Sequence, residues 1–79
     1  MGLVLARYNV FFVTYHDDEV EKVIKELMNM GFSIVSITKS SILREFYYLK
    51  IDGSENMEEV IEKKIKEITD CWVKVEHVR

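Results

Sequence analysis

The residues able to do chemistry are few in this 79-residue chain, and they gather mainly at one place, the run His16-Asp17-Asp18. An imidazole beside two carboxylates is an ordinary donor set for a divalent ion. Two further candidates are Cys71, whose thiol needs a positioned base and exposure to act as a nucleophile, and His77. If the last strand pairs antiparallel with the first, His77 lies beside the start of that first strand, roughly 20 Å from His16 at ~3.3 Å per residue. It cannot complete a metal site, and Cys71 reads inward. Aspartates directly before a helix ordinarily serve as caps and partners of the helix dipole. No Gly-rich phosphate loop, Ser-centred elbow or His-Glu-x-x-His pattern occurs. The expectation is a non-enzymatic protein with neither metal nor cofactor.

The elements that must position these residues follow from periodicity. Residues 7–15, "RYNVFFVTY", are aromatic and β-branched and read as a strand. Asp17 or Asp18 then caps a helix, Asp18 forming a capping-box pair with Glu21. Val20, Val23, Ile24, Leu27 and Met28 make its apolar stripe, and Gly31 supplies the left-handed stop. "FSIVSITK" (32–39) reads as a second strand, Ser40 and Ser41 turn the chain, and "ILREFYYLKI" (42–51) reads as a third. Asp52-Gly53 is a turn pair, after which Ser54 caps a second helix with a stripe of Met57, Val60, Ile61, Ile65 and Ile68. "CWVKVEHV" (71–78) alternates as a fourth strand.

The order β-α-β-β-α-β predicts one α+β domain over 1–79 of ferredoxin-like architecture: a four-stranded antiparallel sheet, strand order 4-1-3-2, with both helices on one face. Composition agrees. Apolar residues make up 48% of the chain, the net charge is −3 and no apolar run reaches the ~20 residues of a membrane span. "MGLVLAR" is too brief for a signal-peptide core, and Ala6 stands where an acylation signal at Gly2 wants Ser or Thr, so the expected location is the cytoplasm. One cysteine allows no internal disulfide, and a core this thin leaves oligomerisation as the common means of reinforcement.

Two helical stripes cover one face of such a sheet and leave the other bare. Alternation turns Cys71, Val73 and Val75, and Tyr47, Leu49 and Ile51, toward the helices. The open face then receives Trp72 and Lys74, Phe46, Tyr48 and Lys50; the first strand is ambiguous, Arg7 and Asn9 placing Phe11, Val13 and Tyr15 on the open face while a bulge would swap part of that set. So large a group of apolar side chains predicts a covered face, and the expected partner is a second copy of the chain in a homodimer or higher homo-oligomer, edge-to-edge pairing through the second or fourth strand being the alternative that leaves the face free.

Over nearly its whole length the chain resembles an ACT-type regulatory domain, on "ELMNMGFSIVSI" at 26–37 and "FYYLKIDG" at 46–53. That resemblance implies pairing through the sheet and a regulatory role. Such domains often bind amino acids, which would place a small ligand at His16, Asp17, Asp18 and Gly31, although "HDDEVEK" (16–22) stands where ligand-binding members carry a Pro-Gly turn. Locally, "REFYYLKI" (44–51) is similar to the third-strand motif of RNA recognition motifs, which would make Phe46, Tyr48 and Phe11 base-stacking residues. The negative net charge weighs against nucleic acid. A third likeness, resting on "TYHDD" at the end of the first strand, is to the small nuclease-like proteins of CRISPR adaptation.

Overall fold

A computed structural model describes residues 6–78, so Gly2 lies outside the described residues. Strand β1 (Ala6–Val13) leads into helix α1 (Asp17–Asn29), then β2 (Ser33–Lys39), β3 (Phe46–Gly53), α2 (Glu58–Thr69) and β4 (Val73–Val78). All strand pairings are antiparallel, in the order β2-β3-β1-β4. This is the expected ferredoxin-like α+β fold.

The alternation in β1 decides the core. Ala6, Tyr8, Val10 and Phe12 are buried with Tyr47, Leu49 and Ile51 of β3, and Val20, Val23 and Leu27 of α1 and Ile61 and Ile65 of α2 close over them. Each Val, Leu, Ile or Phe side chain among them, fully removed from water, contributes about 1.5–3 kcal/mol. Phe12 and Tyr47 stack at 5.5 Å, and the Tyr47 hydroxyl donates to Asp17 at 3.1 Å, tying α1 to the sheet. At the far end of α1, Gly31 at φ +95° closes a Schellman turn in which Phe32 N–H donates to Leu27 and Gly31 N–H to Met28, both at 3.0 Å.

Several boundaries differ from the expectation, each for a local reason. β1 stops at Val13, and Tyr15 lies in the following loop, 73% exposed and off the sheet. Helix α1 is entered from His16 without a side-chain cap; Asp17 and Asp18 already lie in its first turn, where they complement the dipole, and no capping box forms at Asp18. Thr14 stabilises the entry instead, its buried hydroxyl donating to the Glu19 carboxylate and accepting from His16 N–H. β3 begins only at Phe46, because the Ser40 hydroxyl accepts from the N–H groups of Ile42 and Leu43 and holds residues 41–45 in a turn.

Asp52 and Gly53 are strand residues rather than a turn, paired with Arg7 and Ala6. The turn comes later, through Asn56 at φ 60°, and α2 starts from Met57, not from a cap at Ser54. Here the core tyrosine Tyr8 acts as the clasp. Its hydroxyl donates to the Ser54 carbonyl and accepts from Met57 N–H, and burial pushes its pKa up. Met28 and Val60, read as stripe residues, are exposed. Cys71 and Trp72 precede β4, and Cys71 is only half-buried.

Gly53 is required by contact rather than by backbone conformation. A Cβ there would overlap the Phe32 ring, which is itself held edge-on against Tyr8 at 6.0 Å. Gly53→Ala should therefore cost roughly 1–3 kcal/mol in equilibrium urea unfolding through overpacking; an unchanged midpoint would show that the ring can move aside.

Candidate functional site

Both helices lie on one side of the sheet, and the side chains of the opposite face fall into rows set by the strand register. One row runs Thr38, Tyr48, Phe11, Lys74 across β2, β3, β1 and β4; beside it Phe46 opposes Val13. Toward the other end come Ser36, Lys50, Asn9 and Glu76, and then Asp52 opposite Arg7. The face is therefore divided along the strands into an aromatic half and a polar half.

The aromatic half is continuous. Phe11 and Tyr48 have centroids 5.0 Å apart and planes within 15°, Phe11 lies 6.1 Å from Phe46, and Phe46 is stacked at 5.9 Å on Trp72. Two rings lying flat side by side could not bring their centroids within about 6 Å at van der Waals distance, so Phe11 and Tyr48 stand upright and overlap face to face. The Phe46 and Trp72 rings reach one another over Val13, whose N–H donates to the Trp72 carbonyl at 3.0 Å. A small side chain in the middle of that row lets the two large ones lean inward. Trp72 nonetheless remains 50% exposed, and Phe11, Val13, Phe46 and Tyr48 are half-buried with no helix above them.

The polar half is locked by charge. Arg7 makes a two-point contact with the Asp52 carboxylate, Nε to Oδ1 at 2.7 Å and Nη2 to Oδ2 at 3.0 Å. The hydrogen bond from Arg7 holds the Asp52 carboxyl below its usual pKa and raises that of Arg7 in turn. Lys74 pairs with Glu76 at 3.3 Å, and the Tyr48 hydroxyl donates to Asn9 Oδ1 at 2.9 Å. Of the cations on this face, Lys50 alone makes no ion pair among the described residues.

The residues assigned to a ligand site are not brought together. His16, Asp17 and Asp18 are exposed at the start of α1, whereas Gly31 follows its end, about 20 Å away along a 13-residue helix at ~1.5 Å per residue. The cleft beside Asp17 is formed by Thr14, Tyr15, Lys39, Arg44 and Glu45 and encloses about 160 Å3. That is below the ~300–1,000 Å3 of ordinary small-molecule sites. Among the described residues, no three His, Cys, Asp or Glu side chains converge to hold a metal ion. His77 lies opposite Tyr8 at the start of β1, as its strand register requires. No helix of the described residues is long and apolar enough to cross a membrane.

The Arg7–Asp52 clamp is hidden in the sequence because Asp52-Gly53 reads as a turn. The signal that points to it is parity: Phe46, Tyr48 and Lys50 extend by one more step to Asp52 on the same face. Compared with protein-family models, curated proteins and solved structures, the chain matches none.

Because the folded-state pKa of Asp52 is depressed, its contribution to stability is complete above the unfolded carboxylate value of about 4 and is lost as pH falls through the lower folded value. Asp52→Asn should thus flatten part of the acid limb of stability measured by urea midpoints from pH 5 downward, with the difference from wild type shrinking in high salt because the pair is exposed. Parallel pH curves for the two proteins would show that the clamp adds nothing to the fold.

Proposed function

We propose that the protein is a small non-enzymatic binding module that associates with a second copy of itself through the open face of its sheet, in the manner of ACT-like regulatory domains. The observation that carries this reading is the ladder Tyr48, Phe11, Phe46, Trp72 on an uncovered face. Contiguous apolar surface of this kind is normally buried against protein. Aromatic side chains held by their neighbours lose little entropy on docking, which makes them efficient interface anchors.

The same geometry disfavours single-stranded nucleic acid on this face. Base stacking needs an open ring face, and the contact between Phe11 and Tyr48 takes one face of each. Phosphate attraction needs free cations, and with Arg7 and Lys74 already paired only Lys50 is left on this face among the described residues. The cleft at Asp17 is small for a ligand site, and the binding proposed here is through the sheet.

Light scattering on a sizing column at several protein concentrations and two salt levels tests the reading. A dimer that persists at both salt levels is expected, since apolar burial is little screened. Phe46→Glu should weaken it by at least ~10-fold while leaving the far-ultraviolet dichroism unchanged. A wild-type chain that remains monomeric at every concentration defeats the proposal, and retention of single-stranded RNA by that monomer would reassign the face to nucleic acid.

A further inference from the structure

The division of the open face into an aromatic and a polar half restricts how a second copy can sit on it. Four strands about 4.8 Å apart and eight residues long at ~3.3 Å per residue give a face of roughly 500 Å2 in plan. A stable interface takes about 800 Å2 of accessible surface from each partner, so the corrugated whole of the face is needed and the aromatic half alone is too small. Both halves must therefore be covered, and the question is which half meets which.

Face-to-face pairing of two identical sheets can place the twofold axis along the strands or across them. Across the strands, the aromatic end of one copy covers the polar end of the other, so that the Arg7–Asp52 pair of each copy is buried under Phe46 and Val13 with no charge of the other copy to meet it. Desolvating charge against rings in this way is unfavourable. Along the strands, aromatic meets aromatic and polar meets polar. Because β1 and β3 are the two central strands, each then lies over the other in the partner, and Arg7 of one copy comes within side-chain reach of Asp52 of the second.

Resting on the self-association reading above, we infer that the second copy docks with its twofold axis parallel to the strands, over the seam between β1 and β3. The two sheets pack aligned, with the helices outermost. The two Arg7–Asp52 pairs form one alternating four-charge cluster at the end of the interface, which selects the register by charge complementarity. The same axis sets β4 over the partner's β2, and so brings Trp72 to the end of β2 where the β2–β3 turn displays Ile42, 88% exposed, and Leu43, 52% exposed.

Charge exchange distinguishes this arrangement from the crossed one. In an Arg7→Asp homodimer the cluster holds four carboxylates, and in an Asp52→Arg homodimer four guanidinium groups. Each variant alone should dimerise at least ~10-fold more weakly than wild type at low salt, and mixing the two should restore a dimer of near wild-type affinity. The doubly exchanged Arg7→Asp/Asp52→Arg chain rebuilds the pair within each copy, folds as wild type does, and should dimerise as wild type does. Light scattering reads all four samples, with circular dichroism reporting the fold. If wild type is a dimer but neither single variant is weakened, or if mixing confers no advantage, the axis does not run along the strands. If either single variant unfolds, Asn9→Cys and Lys50→Cys chains mixed in a Cys71→Ser background decide: a disulfide-linked heterodimer on oxidation supports the axis along the strands, and its absence from a mixture that still dimerises overturns it. A monomeric wild type refutes self-association itself.

Discussion

The register between β1 and β3 governs the rest of the molecule. Eight residues of each strand pair from Ala6 with Gly53 to Val13 with Phe46, and a slip of one position would exchange every inward side chain for an outward one. Tyr8, Val10 and Phe12 would then face water, and Arg7, Asn9 and Phe11 the helices. Independent contacts resist that slip at different points along the seam. Arg7 grips Asp52 at one end, Tyr48 reaches Asn9 and stacks on Phe11 near the middle, and Phe12 stacks on Tyr47 from the other side of the sheet.

The core side and the open side use the same residue types in different ways. Toward the helices, Tyr8 and Tyr47 are buried, and their hydroxyls reach outward to fasten the loop before α2 and the first turn of α1. A buried phenol without such partners would be costly, so each clasp both satisfies the ring and positions an element. On the open face, the hydroxyl of Tyr48 stays within the sheet, and the rings contact one another rather than a second layer. Ring-to-ring contact lowers the exposure of each side chain but leaves a continuous apolar ridge above the sheet. Two helices cannot cover both faces of four strands, and no described element of the chain lies over this ridge.

Much of the fold is legible in the order of the residues, because period-two and period-3.6 patterns report directly on which side of an element is apolar. Val23 and Leu27, Ile61 and Ile65, and the inward residues of β3 all lie where the pattern puts them. Element ends are less legible. Ser54 and Asp18 have the chemistry of caps, but neither side chain caps its helix; Thr14, two residues back, takes the His16 N–H, and the Tyr8 hydroxyl arrives from β1 to take that of Met57. Asp52-Gly53 has the chemistry of a turn, yet Arg7 and the Phe32 ring hold both residues in the strand.

The sequence by itself determined the order of the elements, the stop at Gly31 and the outward parity of Phe46, Tyr48 and Trp72, since these depend on the chain's own periodicity and on glycine's access to positive φ. Only the tertiary structure decided that the rings meet upright as one ladder, that Phe46 and Trp72 close over Val13, and that Arg7 and Asp52, 45 positions apart, neutralise one another at the opposite end of the face. It also separated Gly31 from His16 by the length of α1. Those are distances between residues remote in sequence, set by strand register and layer packing, and local propensity carries no information about them.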